Sequence, residues 1–369
     1  LDCRAVKRSG MAGSVSAARE NRMPLGSIAL LGSGETAPSS GVIYDRLSRG
    51  RSTPLPIAIV ETPAGFQPNS AQVAGKVAEY LQTRLQNQRP QVTLVPARAR
   101  GTEHSPDADA ATAGLLQAEL IFIGPGSPTY AARQLQGSLA LQRMTARQRH
   151  GAALITASAA TIALGKYALP VYEIYKVGAE LHWQPGLDFF APYGLQLVLV
   201  PHWNNQEGGA ELDTTHCFVG AERFARLQQL LPGDVTIVGI DEHTGLVIDP
   251  EHGQATVMGR GAVTVLRAGT ACRFERAAVF SLQELGAFRV PSLEDGLPAD
   301  VVRETAMRVV EAEAVPDVPA EVHALVAQRQ AARAARDWAA SDRLRQDLAA
   351  LGWQVQDTPQ GAQVSKLTA

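Results

Sequence analysis

Ser158 follows a short apolar run, residues 152–155, and precedes residues of helical character at 159–164. A strand-to-helix turn of this kind is the setting of a nucleophile elbow, which exposes a serine hydroxyl and aims the next backbone N–H at a developing oxyanion. The local sequence is Thr156-Ala-Ser-Ala-Ala160, and the same serine serves equally well as the N-cap of the helix that follows. A hydroxyl nucleophile needs a base. Among eight histidines, His202 is best placed, because it follows the apolar run 197–200 and Pro201 and opens a polar loop, 202–209. His243, past another apolar run, is a second candidate, and a histidine that only hydrogen-bonds within its loop is the bland alternative. The carboxylate that would orient the imidazole is the least determined member. Glu173, an acid among apolar neighbours, is favoured, and Asp188 and the pair Asp241 and Glu242 compete with it. For an oxyanion hole, Gly126 in Gly124-Pro-Gly126 offers one bare amide and Ala159 the other. Glu35, Asn204, Asn205 and Glu242 are the candidates for contact with substrate.

These residues need a scaffold that brings loops together. Apolar runs at 27–31, 56–60, 92–95, 120–123, 152–155, 196–200, 235–240 and 246–248 read as buried strands. Helical spacing at 71–87 and a shorter stretch at 110–118 separate the early ones. Alternation of this kind predicts an α/β domain with a doubly wound, mostly parallel sheet, in which ligands bind at the carboxyl ends of the strands. Loops 32–35, 61–65, 124–128 and 156–160 stand at those ends. Residues 261–280 read as antiparallel strands that finish the domain, 26–290. Residues 291–318 read as a linker with one helix, 299–313, and 319–369 as a helical tail whose residues 320–350 make two packed helices, broken near 338–341.

The chain has 369 residues, 45% of them hydrophobic, and a net charge of −2. That length allows two domains, or one large α/β domain with an appendage. The charge balance gives no footprint for nucleic acid, and no apolar run approaches the ~20 residues of a membrane helix. Cys3, Cys217 and Cys272 make neither a disulfide framework nor a zinc pattern, which fits a reducing cytoplasm. Residues 1–25 lack an apolar signal region and are expected to be a disordered extension. No metal motif occurs, so neither a metal nor a cofactor is expected.

The order of these features resembles a known family. A Gly-rich loop after the fourth strand, Ser-Ala at the elbow after the fifth, an acid soon after and a histidine past the next strand are similar to the dipeptidase E and cyanophycinase family of serine peptidases. That family shares the class I glutamine amidotransferase-like fold. The 44-residue spacing from Ser158 to His202 is about what the family shows, and Gly239-Ile-Asp-Glu-His-Thr244 is similar to its Gly-x-Asp-Glu-x-Thr stretch. Over residues 26–266 the resemblance implies Ser158 as nucleophile, His202 as base, Glu173 as third member, and amides of Gly126 and Ala159 for the oxyanion. It also implies a small peptide substrate with an acidic N-terminal residue. Where the family has glycines on either side of the elbow, Thr156 and Ala160 stand here.

A second resemblance covers residues 322–361. Gln328-Arg-Gln-Ala-Ala-Arg333, Arg336-Asp-Trp-Ala339, Ser341-Asp-Arg-Leu-Arg345 and Asp357-Thr-Pro-Gln-Gly361 are similar to the C-terminal tail of cysteinyl-tRNA synthetase. The catalytic signatures of that enzyme, H-I-G-H and K-M-S-K-S, are absent, so charging of tRNA is not expected. From Pro316 onward six basic residues face six acidic ones. A tRNA partner is therefore not favoured unless Arg329, Arg333 and Arg336 share one helix face.

The expected function is that of a serine hydrolase acting on a small peptide or amide, with no membrane partner and with homo-oligomerisation left open. Two alternatives stand beside it: a non-catalytic binding module, marked by a Ser158–His202 separation beyond hydrogen-bond reach, and a hydrolase of tRNA conjugates delivered by the tail.

Overall fold

The structure, a computed structural model, describes residues 24–313, 319–358 and 361–367. The expected N-terminal extension up to residue 23 and part of the linker lie outside these residues. The chain divides into two compact units between Arg308 and Val309.

The first unit opens with β1 (Ile28–Leu31), α1 (Pro38–Ser48), β2 (Pro56–Val60), α2 (Ser70–Arg84) and β3 (Gln91–Val95). It continues with α3 (Asp109–Thr112), β4 (Leu120–Ile123), α4 (Pro128–Leu135), α5 (Leu139–Arg149) and β5 (Ala153–Ala157). These are the alternating units that the apolar runs predict. The stretch expected to be helical at 110–118 is mostly a single turn and a 3-10 turn. β1, β5, β4, β2 and β3 pair in parallel in that order. Every residue of β1, β4 and β5 is buried, as strands covered on both faces must be.

The chain then runs through α6 (Ala159–Ala163), β6 (Tyr167–Ala168), α7 (Val171–Tyr175), β7 (Gln184–Pro185), β8 (Leu197–Val200), α8 (Ala221–Gln229) and β9 (Thr236–Ile240). β10 (Thr244–Asp249), β11 (Gln254–Gly259), β12 (Val263–Arg267), β13 (Thr270–Phe274) and β14 (Val279–Ser281) follow. β10, β11 and β14 extend the β1 edge antiparallel and complete an eight-stranded sheet. β8 and β9, expected in that same sheet, instead pair in parallel within a second, four-stranded sheet with β12 and β13.

Side-chain alternation explains the two layers. Ala29 and Leu31 join Leu120, Phe122 and Ile155 in a cluster with Ile43 of α1 and Val77 and Leu81 of α2. Ile28 and Leu30 point the other way and pack with Leu197 and Leu199 of β8, Val238 of β9 and Val263 of β12. The opposite faces of β8 and β9, Val198, Val200 and Ile237, are covered by Ile174 of α7 and Phe224 and Leu227 of α8. β8 and β9 are apolar on both faces because a sheet lies on one side of them and helices on the other.

α9 (Ala299–Glu313) spans the end of the first unit. Its Glu304 pairs with Arg143 of α5 at 2.8 Å, and the guanidinium is almost wholly buried.

The second unit has α10 (Ala320–Ala334), α11 (Trp338–Ala350), β15 (Trp353–Thr358) and β16 (Gly361–Lys366). Its core is Val322, Val326, Leu348, Trp353 and Val355. Here the helical-tail expectation is corrected. The helices part at Ala335 to Asp337, earlier than expected, where Arg336 has φ 60° and Asp337 Oδ1 accepts the Ala340 N–H at 3.0 Å as the cap of α11. β15 and β16 pair antiparallel, a strand character signalled by Trp353 and Val355 alternating with glutamines.

Candidate active site

Ser158 directly follows β5, the strand between β1 and β4, and α6 starts at the next residue. Its backbone lies at φ 50°, ψ −111°, a conformation that costs a non-glycine residue about 1–3 kcal/mol and persists only where the surroundings over-determine it. The Ser158 N–H donates to Leu31 O at 3.3 Å, and the Ile162 N–H to Ser158 O at 3.1 Å. Thr161 Oγ1 donates to the same Leu31 oxygen and lies 3.0 Å from Thr156 Oγ1. Thr156 and Ala160, in the positions of the elbow glycines, are both buried within this knot. The N-cap alternative for Ser158 is not met, because its side chain makes no capping bond. Ser158 Oγ lies 2.8 Å from His202 Nε2 instead.

His202 reaches that point from the second sheet. It stands two residues beyond β8, at φ 53°. The parallel register pairs Val200 with Gly239, so the residues after β8 run alongside those after β9. The Trp203 N–H fixes this by donating to Ile240 O at 3.0 Å. On the β9 side the chain turns through Asp241, Glu242 and His243 into β10, passing from the small sheet to the large one.

That turn supplies the carboxylate. Glu242 Oε1 lies 3.0 Å from His202 Nδ1 and accepts from Asn205 Nδ2 at 2.7 Å. The Glu242 N–H donates to Asn204 Oδ1 at 2.8 Å. Hydrogen bonds from His202 first, then Asn205, hold Glu242 below the usual carboxylate range against the opposing effect of burial. Glu173, the acid favoured from sequence, is not on His202. α7 turns it toward the first turn of α4, where Thr129 Oγ1 donates to its Oε1 at 2.6 Å, and a carboxylate there also meets the positive end of the helix. Asp241 turns away, its Oδ2 accepting from Ala262 N and Arg273. Asp188 is raised by burial, an effect Lys166 opposes. His243 lies over Gly34, with its N–H on Ser33 Oγ and Nδ1 3.5 Å from Ser39 Oγ.

Two of the expected substrate contacts change role with Glu242. Asn205 is fully buried, and both Asn204 and Asn205 bond Glu242. Glu35 remains in the loop after β1, its carbonyl accepting from Tyr44 Oη. Gly126 stands in the loop before α4 at φ 152°, so close to the 62–64 turn that a Cβ would lie 2.0 Å from Pro63 O. Among the described residues neither the Gly126 nor the Ala159 amide donates to a backbone carbonyl. Both expected oxyanion donors are thus uncommitted.

Cys217 is a free, buried thiol pushed up by burial. In the second unit, Arg329 is buried, Arg333 lies over the Trp338 ring at 5.6 Å, and Arg336 follows the end of α10. The three arginines do not form one exposed row.

The fold has a known counterpart. The crystal structure of a peptidase from an acI-B1 Actinobacterium aligns with a TM-score of 0.55 and 19% identity, covering 70% of this chain and 97% of that one. Residues 315–364 match the family model of the cysteinyl-tRNA ligase anticodon binding domain. Cysteine–tRNA ligase 1 of Burkholderia lata is 56% identical over 45 residues, 12% of this chain and 10% of that protein. The Phenylobacterium zucineum cysteine–tRNA ligase is 56% identical over 46 residues, again 12% and 10%. The chain spans about a tenth of the length of these curated relatives. It combines an α/β unit of peptidase-like fold with a C-terminal segment related to the anticodon binding domain of cysteinyl-tRNA ligases.

Proposed function

We propose that this protein is a serine hydrolase of the class I glutamine amidotransferase-like fold that cleaves a small peptide or amide with Ser158, His202 and Glu242. The observation that carries this reading is the unbroken line from Ser158 Oγ through the His202 ring to Glu242, at 2.8 and 3.0 Å, rooted in a strained elbow. Ser158 Oγ attacks the carbonyl carbon while His202 Nε2 takes its proton. His202 Nδ1–H donates to Glu242, which fixes the tautomer and stabilises the imidazolium. The amides of Gly126 and Ala159 receive the oxyanion, each such donor being worth about 10²–10³ in rate. The imidazolium then protonates the leaving group, and water hydrolyses the acyl-enzyme by the same steps.

Labelling by a fluorophosphonate tests the reading. The wild type is expected to be labelled at Ser158 and Ser158→Ala not at all; equal labelling of both would remove the mechanism.

The match at residues 315–364 favours a second reading, in which the tail binds tRNA and the substrate is a tRNA conjugate. This requires the cytoplasm, where tRNA resides. Among the described residues no helix is long and apolar enough to cross a membrane. Binding of tRNA to the full chain at low salt, weakening steeply as salt rises, would support it. Equal retention by a chain ending at Glu313 would sink it.

A further inference from the structure

Three of the large apolar side chains left exposed in this protein fall within six residues of one another: Tyr172, Tyr175 and Val177, at 41%, 37% and 79%. They belong to α7 and the residue after its C-cap. α7 runs along the candidate site, since its Glu173 bonds Thr129, three residues past Gly126, while its Tyr175 ring meets Phe218 at 5.7 Å. Phe218 in turn lies against the His202 ring, with centroids 5.6 Å apart. The backbone that presents Phe218 is unusual. His216, Cys217 and Phe218 all have positive φ, at 55°, 61° and 68°, and the Cys217 N–H returns to His202 O at 3.1 Å. Strain of this kind in non-glycine residues is a mark of functional sites, and here it brings an aromatic ring onto the catalytic imidazole.

We propose that Phe218 and Tyr175, with Tyr172 beside them, form an apolar subsite for the leaving group, so that the substrates are acyl compounds whose departing amine or alcohol carries an aromatic or large branched side chain. This rests on the hydrolase reading of Ser158 and His202. In that chemistry the Ser158 oxygen forms its bond to the acyl carbon, its proton goes to His202 Nε2, and that proton then passes to the departing nitrogen or oxygen as its bond to carbon breaks. The departing group therefore has to stand beside the imidazole, where the wall continuous with the ring is Phe218 and then Tyr175. Lys176 lies over the Tyr172 ring at 5.2 Å, and Arg223 Nη2 donates to Phe218 O. Burying an apolar leaving group against this wall favours it over a small polar one by about tenfold or more.

Two phosphonates that are identical except for the leaving group test the subsite without knowledge of the natural substrate. One expels fluoride, which is too small to touch the wall, and the other 4-nitrophenoxide, which must lie on it. Both leave the same adduct on Ser158. The measured quantity is the ratio of their second-order labelling rate constants in the full-length chain. Tyr175→Ser, at a half-exposed position, is expected to lower the aryl-to-fluoride ratio about tenfold, with Phe218→Leu acting in the same direction. An unchanged ratio in Tyr175→Ser, with fluoride-probe labelling intact, overturns the subsite alone. Failure of the fluoride probe to label wild-type Ser158 overturns the hydrolase reading and the subsite with it.

Discussion

Glu242 Oε1 takes hydrogen bonds from both His202 and Asn205, so a single carboxylate oxygen sets the imidazole's orientation. Glu242→Gln keeps the shape but offers an amide to Nδ1, and fluorophosphonate labelling is expected to fall by about 10³–10⁴, as when the orienting acid of a triad is made an amide. Glu173→Gln is expected to label at the wild-type rate. The pair of variants separates the two carboxylates in one assay, and the reverse outcome would return the role to Glu173. Asn205→Ala removes a bond to a charged group from a buried position, a loss of about 1.5–3 kcal/mol in stability, read as a lower Tm together with slower labelling. The sign of the pH effect at Glu242 follows from its direction. Its folded pKa is depressed, so its bonds add stability that is present above the ordinary carboxylate range and is lost as pH falls through the lowered folded value. The fall in Tm on acidification should therefore be shallower in Glu242→Gln than in the wild type.

At the scale of elements, three short segments hold the site. The elbow between β5 and α6 is knotted to β1 through Leu31 O, which accepts from both Ser158 N and Thr161 Oγ1. Ala160 already fits there with a Cβ, so Ala160→Gly is expected to keep labelling and to cost no more than the ~1 kcal/mol of a helical Ala-to-Gly change. Gly126 has no such room. Gly126→Ala puts a methyl group 2.0 Å from Pro63 O at a φ of 152°, which must displace the loop carrying the proposed oxyanion amide. Labelling should drop by at least the ~10² of one lost donor, with a lower Tm. A third segment, the loop leading into α8, is tied by Asp213. Bonds from the Ala221 N–H and from Thr215 push its carboxyl down to about 2. Its contribution is thus present above the ordinary value near 3.8 and lost as pH falls toward about 2. Asp213→Asn should flatten that part of the stability curve.

At the scale of the whole molecule, the three side chains of the proposed triad come from different places: Ser158 from the large sheet, His202 from the small one, and Glu242 from the turn that connects β9 to β10. The packing of one sheet on the other, through Leu30, Leu199 and Val238, is therefore what assembles them. All three lie in the unit that ends at Arg308. A chain ending at Glu313 retains α9 and its Arg143–Glu304 pair, and it is expected to label at Ser158 at the full-length rate. A loss of labelling on removal of the tail would show that the second unit takes part in the chemistry.

Local pattern alone determined much of this protein. Apolar runs marked the strands because buried parallel strands leave no polar face, and the strand-to-helix turn marked Ser158 because that turn is built within a few residues. His202 was legible for the same reason, as the first polar side chain beyond a buried strand and its proline. Sequence favoured Glu173 over Asp188, Asp241 and Glu242, because the placing of Glu242 depends on β8 and β9 lying side by side in register, a pairing across more than thirty residues of intervening chain. Only the tertiary structure decided it: the turn into β10 sends Asp241 toward Arg273 and Glu242 toward His202. The same holds for the second sheet and for Phe218. A fully buried strand reads alike whichever sheet it joins, and the ring that covers the imidazole is brought there by a left-handed turn that the spacing of residue types does not announce.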